Sequence, residues 1–172
     1  MSGFERFNKI LNLFSEKRSS LTVAEISEEL KIPSSTIYRT VREMVLADFL
    51  ESAAGSYFRL GQAFIKFNRI INLSDPLIQA GEPFLKKLAN ENPIPSTNIL
   101  ARLFGDKVMC VADFKYPSFK NNTSYQKGRL MPLLYGATSR AIIMQIKGKR
   151  LRDILNLEGL KDNKQQKIFI SG

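Results

Sequence analysis

Apolar residues recur along the first sixty positions at helical spacing, in three blocks. Phe7, Ile10, Leu11 and Phe14 form one stripe, Val23, Ile26 and Leu30 a second, and Ile37, Val41, Met44 and Val45 a third. Each block fits one buried face of a 3.6-residue helix. Thr22, followed three residues later by Glu25, marks the start of the second helix as a capping box. Pro33-Ser34 opens the third, where proline's missing N–H costs nothing. The period then changes. Phe49 to Glu51 and Tyr57 to Leu60 are short β-prone runs around the turn Ser52-Ala53-Ala54-Gly55-Ser56, a hairpin with Phe58 and Leu60 facing in and Tyr57 and Arg59 facing out. Three helices and a hairpin predict a winged helix-turn-helix over residues 1–61.

Helical spacing returns in Gln62 to Ile71, through Phe64, Phe67 and Ile71, and again after Asp75-Pro76, where Leu77, Phe84, Leu85 and Leu88 share a side. These runs predict a helical linker over residues 62–95, closed by the polar, proline-bearing stretch Asn90 to Pro95. Two occupants of the apolar faces stay open for the second helix: a second copy of the chain, or the chain's own following domain. That domain, residues 96–172, starts with two β-prone runs, Thr97 to Phe104 and Lys107 to Phe114, separated by the hairpin signal Gly105-Asp106. Lys115 to Lys127 reads as a long polar loop, Leu130 to Leu134 as a strand, and Gly136 as the opening of a helix through Met144. Beyond lie one amphipathic turn (Leu151, Ile154, Leu155), a polar stretch Lys161 to Lys167, and Ile168-Phe169-Ile170, at most a short strand. The whole reads as an α+β chain.

Composition bounds the partners. In 172 residues, 44% are hydrophobic and 24% charged, ordinary for a folded globular chain. No apolar run approaches a membrane-spanning length, and the N-terminus lacks the apolar core of a signal peptide, so a cytoplasmic location without membrane contact is expected. The single Cys110, in the run VMCVADF, reads as a small buried strand residue, with a reactive thiol as the lesser option. The formal charge of +10 is unevenly placed. Residues 1–60 hold eight Lys/Arg against eight Asp/Glu, whereas residues 96–172 hold fourteen against five. The basic excess therefore lies outside the helix-turn-helix, where it reads chiefly as a lysine-rich solvated surface. RNA binding through that half ranks last, for want of stacking-aromatic motifs.

Candidate chemistry concentrates on the third helix. Opposite its apolar stripe, Ser35, Tyr38, Arg39 and Arg42 fall at i, i+3, i+4 and i+7, one polar face able to reach a major-groove edge or a phosphate. Ser34 and Thr36, at the helix start, suit phosphate contact because backbone N–H groups point there too. Arg59 on the hairpin is placed to touch the DNA backbone or minor groove. A helix with this outer face is also compatible with simple solvation. If the face does read DNA, a neutral head lacks a bulk field, and specificity rests on Arg39, Arg42 and Arg59 with Glu43 and Asp48 turned away. An enzyme is not expected. There is no histidine, no metal-ligand spacing, no glycine-rich phosphate loop, and no Ser or Cys beside an evident base. No cofactor or metal is called for.

The segments FNKILNLFSEKRSSLTVAEISEELKIPSSTIYRTVREMVLADFLES and SYFRLGQAF resemble the N-terminal domain of IclR-family transcriptional regulators. STNILARLFGDKVMCVADF is similar to the opening strands of that family's effector domain, and KGRLMPLLYGATSRAII to the strand-to-helix segment that follows. The resemblance runs from Phe4 to about Met144. It implies a dimeric or tetrameric repressor or activator that binds a double-stranded DNA operator and whose GAF-like domain takes a small, carboxylate-like metabolite. It also implies that Gly136 and Ala137 line the effector pocket, where the helix start offers backbone donors. Ordinary strand-to-helix packing is the other reading of those two residues.

Two positions depart from the family pattern: Lys31 in the inter-helix turn and Ser139 in GATSRA, both where glycine is usual. The family's effector domain also continues with further helices and strands, for which Gln145 to Gly172 is too short. The expectation is a fragment or shortened form, with an incomplete GAF-like sheet whose open edge needs a cover and with weak or absent metabolite binding. The alternative function is a truncated DNA-binding and oligomerisation module that pairs with a full-length regulator.

Overall fold

A computed structural model describes residues 2–116, 126–133 and 136–157. The expected strand residue Leu134, most of the Lys115 to Lys127 loop, and everything from Lys161 to Ile170 lie outside the described residues. Those described separate into two compact units, with the division between Leu73 and Ser74.

The first unit contains α1 (Gly3–Leu11), β1 (Ser20–Thr22), α2 (Val23–Leu30), α3 (Ser34–Leu46), β2 (Leu50–Ser52), β3 (Tyr57–Leu60) and α4 (Ala63–Ser74). Its core is built from the three predicted stripes: Ile10, Ile26, Ile37, Val41 and Met44 are buried together with Leu21 and Leu50. β3 is the centre of an antiparallel sheet ordered β1-β3-β2, with Leu21 opposite Phe58 and Leu50 opposite Leu60. β1 is the element that hydrophobic spacing did not predict. Three residues carry no period, and only pairing with β3 makes them a strand.

The wing parity is as expected, since Leu21, Leu50, Phe58 and Leu60 share a face. Leu60, at the strand's end, is nevertheless 45% exposed because the core stops short of it. The α4 helix starts on this unit through rings: Phe49 lies edge-on to Phe7 at 5.0 Å and to Phe64 at 5.7 Å, and tilted against Phe67 at 6.0 Å. Gly61 permits the chain to turn there. Its N–H donates to the Phe49 carbonyl at 2.9 Å, and a Cβ at this position would lie 2.2 Å from the Asp48 carbonyl oxygen.

The second unit runs α5 (Pro76–Glu91), β4 (Thr97–Phe104), β5 (Lys107–Lys115), β6 (Leu130–Pro132), α6 (Gly136–Ile143) and α7 (Gly148–Leu157). The sheet is antiparallel and ordered β4-β5-β6, with a bulge at Leu100 and Ala101. Val108, Cys110, Leu133, Ile143 and Ile154 form one cluster, to which α6 and α7 contribute. On the other side α5 packs against β4 and β5, with Ile78 and Leu85 meeting Ala112 and Leu100. Of the two occupants left open for this helix, the chain's own sheet holds one face.

That face differs from the expected one. The buried stripe is Ile78, Leu85 and Ala89, while Phe84 and Leu88 are exposed. The reason is Gly81: an added Cβ would come 2.5 Å from Leu100 Cδ2, so the helix approaches the sheet on its glycine side and rolls Phe84 outward. Asp75 caps α5 through the N–H groups of Leu77 and Ile78, and pairs with Arg102 of β4 at 2.9 Å. We expect Gly61→Ala to cost the first unit about 1–3 kcal/mol, because backbone must move to admit the methyl group. Urea unfolding measures it, and an unaltered midpoint would show that the turn relaxes freely.

Candidate nucleic-acid interface

The orientation of α3 is fixed from beneath. Ile37, Val41 and Met44 are buried, and Thr40 between them donates to the Thr36 carbonyl at 3.1 Å while accepting from Arg6 Nε of α1 at 2.7 Å. With that side held, the 3.6-residue repeat turns Ser35, Tyr38, Arg39 and Arg42 outward, and all four are exposed. Thr36 is half-buried, and Ser34 is exposed.

The turn before α3 is pinned by three features. Thr22 accepts from the Glu25 N–H while the Glu25 carboxylate accepts from the Thr22 N–H at 2.7 Å, the reciprocal cap expected for α2. Lys31 adopts the left-handed conformation, φ 54 and ψ 45, at the C-terminus of α2. Ser27 Oγ donates to the Ile32 carbonyl at 2.6 Å, and Ser34 Oγ donates to Ser27 Oγ at 3.0 Å. Ser34 is thus committed to holding the two helices together, which leaves the exposed Ser35 hydroxyl as the more available group at the start of α3.

Two candidate arginines carry carboxylate partners. Arg39 Nε lies 3.5 Å from Glu43 Oε1 one turn on, and Arg59 Nε pairs with Glu51 across the β2–β3 ladder. Glu43 is therefore not turned away from Arg39, contrary to expectation, because i and i+4 share a helix face. That spacing was legible in the sequence. The Glu51 pairing was not, since it needs the strand register. Arg39 remains 84% exposed, so the pair is weak and a nearby phosphate or base edge competes with it readily. Arg42 forms no ion pair among the described residues.

In the second unit, Gly136 and Ala137 are exposed at the start of α6. Ser139, which replaces the usual glycine, is buried, and its hydroxyl donates to the Pro132 carbonyl at 3.0 Å, tying α6 to β6. Burial, and then the nearby Asp113 charge, push the Cys110 thiol up to about 11, so it stays protonated and serves as core. No described helix is long and apolar enough to cross a membrane.

Residues 5–53 match the IclR helix-turn-helix domain. The chain is 20% identical over 161 residues to the Pca regulon regulatory protein of Pseudomonas putida, covering 94% of this chain and 54% of that protein. An IclR-family transcriptional regulator from Brucella abortus superposes with a TM-score of 0.73 at 16% identity, over 97% of this chain and 62% of that one. An IclR homologue from Microbacterium hydrocarbonoxydans, solved in complex with 4-hydroxybenzoate, gives 0.69 at 21% identity, over 90% and 63%. The chain thus spans a little over half the length of these relatives, and the structural likeness establishes the fold.

Replacing Lys31 with glycine should raise the first unit's stability by about 1 kcal/mol, the left-handed strain of a side-chain-bearing residue being removed. Thermal unfolding reads this, and a loss of stability would contradict it. The Glu25 carboxyl is held below its ordinary 4.5, first by the Thr22 N–H and then by the Thr22 hydroxyl. Its stabilisation is therefore full above that value and disappears as the pH falls through the lowered one. Glu25→Gln, still able to accept the bond, should flatten this part of the acid profile.

Proposed function

We propose that this chain, of IclR type by its helix-turn-helix head and by its fold, is a sequence-specific regulator of transcription that reads a double-stranded DNA operator. The observation that carries the reading is the outward face of α3, where Ser35, Tyr38, Arg39 and Arg42 are exposed together while the opposite face is locked in the core. Arg39 and Arg42 are the residues for base edges and phosphates. Ser35, with Ser34 and Thr36 behind it, lies at the helix N-terminus where phosphate is favoured. Arg59, on the wing, adds a backbone contact once it leaves Glu51. The protein acts in the cytoplasm and carries out no catalysis.

The regulator works as a homodimer, or as a tetramer built from dimers, with α4 at the contact. Ile65 is 73% exposed, and Phe67, Ile70, Ile71 and Leu73 are also exposed, a large apolar surface for one twelve-residue helix. A second copy of the same helix covers it symmetrically and sets two recognition helices on successive half-sites. A small carboxylate-like effector, of the class seen with the Microbacterium homologue, is assigned to the start of α6 at Gly136 and Ala137.

With an operator selected from a randomised DNA pool, Arg39→Ala should weaken binding by about 1–3 kcal/mol, and most for the selected sequence. Glu43→Gln should act in the opposite sense, strengthening binding at low salt by releasing Arg39 and removing a negative charge from the face. Mobility-shift titrations measure both. Unchanged affinity in Arg39→Ala would remove that residue from the interface, and failure to enrich any sequence would remove the function.

A further inference from the structure

Along the outer edge of β4 the second unit holds a trough of about 600 Å³. Its floor is the continuous run of β4 residues 97–103. Leu85 and Leu88 of α5 form one wall, and Ile142 of α6, with Ile146 and Arg150, forms the other. Residues from both faces of β4 line it and none from β5 does, so the trough runs beside the sheet and not over one of its faces. Among the described residues β5 is the sole neighbour of β4. The far side of such a strand presents a row of backbone N–H and C=O groups without ladder partners. Apart from the bulge at Leu100 and Ala101, little discourages pairing there: the strand has no proline or lysine, and its one charge, Arg102, is drawn to Asp75. Thr97 Oγ1, at the head of the same strand, is buried without a hydrogen-bond partner among the described residues.

An edge flanked by apolar walls above and below is a slot for one strand that is apolar on both faces. The chain has such a segment after α7. Ile168-Phe169-Ile170 is an unbroken run of β-branched and aromatic residues, the signature of a strand buried on both sides. Reach is sufficient. Arg150, which lines the trough, stands near the start of α7, and the helix ends at Leu157, roughly 10 Å further along its axis. Residues 158–166 extend up to about 30 Å.

We propose that residues 167–170 add to the free edge of β4 as the fourth strand of this sheet, between α5 on one side and α6 and α7 on the other. A second copy's β4 is the poorer occupant. It carries its own α6 directly over the strand. In a continuous sheet with strands about 4.8 Å apart, the two helices would meet well inside the 8–10 Å that packing requires. A single terminal strand brings no helix with it.

Hydrogen exchange followed by mass spectrometry on the intact 172-residue chain tests this, against Ile168→Asp and Phe169→Asp. Adjacent residues of a strand point to opposite faces, so both substitutions should expel the segment. Amides of residues 97–104 are then expected to exchange about tenfold faster or more in each variant, with β5 and the α3 region unchanged. Phe169→Leu, which keeps the run apolar, should retain protection. Unchanged exchange at 97–104 in both aspartate variants would overturn the proposal. So would protection of 97–104 that rises with protein concentration, because it would assign the edge to a second copy.

Discussion

Everything on the outer side of α3 depends on what its inner side buries. Ile37, Val41 and Met44 are taken wholly out of water, each transfer worth about 1.5–3 kcal/mol. The exposed ion pairs of Arg39 with Glu43 and Arg59 with Glu51 are worth no more than about 1 kcal/mol each. The core therefore sets which way the helix faces, and the carboxylates only bias where the guanidinium groups rest. Thr40 refines the setting, since its hydroxyl takes the Arg6 bond from α1 and so fixes rotation as well as depth. The face offered to DNA is a geometric remainder of the packing beneath it.

The same logic explains why a head of zero net charge suits selective binding. Without a general positive field, attraction to an arbitrary duplex is small, and contacts made by a few placed side chains weigh more in the total. Glu43 and Glu51 push further in that direction. Each is a built-in competitor that a phosphate or base edge must displace, so an ill-matched site gains less from either arginine. The basic excess of residues 96–172 lies outside this surface.

In the second unit a single glycine has the comparable role. Gly81 lets α5 approach Leu100 so closely that a methyl group would not fit, and the helix settles with Ile78, Leu85 and Ala89 inward. This turned the helix away from the arrangement that hydrophobicity alone favours, in which Phe84 and Leu88 would be buried. Asp75 stabilises the same docking from the end, capping α5 while reaching Arg102 on the sheet. Burial opposes the charge on Asp75, yet the Ile78 and Leu77 N–H bonds and the Arg102 charge outweigh it, and the carboxyl is held below its ordinary value.

Much of the head was legible in the one-dimensional pattern. The three stripes, the Thr22-Glu25 cap, the wing parity and the outward set Ser35, Tyr38, Arg39 and Arg42 follow from helical and strand periods, which are properties of neighbouring residues. Elements defined by partners distant in sequence were not legible. β1 exists because β3 lies beside it, Glu51 meets Arg59 through strand register, and Ser34 is diverted to Ser27 by the fold of the turn. The roll of α5 was hidden for the same reason, since Gly81 matters only where Leu100 stands opposite. The sequence by itself determined which faces are apolar, where helices begin, and that Lys31 would have to take a conformation suited to glycine. Tertiary structure alone decided which apolar face is covered and which hydroxyl or carboxylate is already engaged, because those outcomes depend on distances of a few ångströms between residues far apart along the chain.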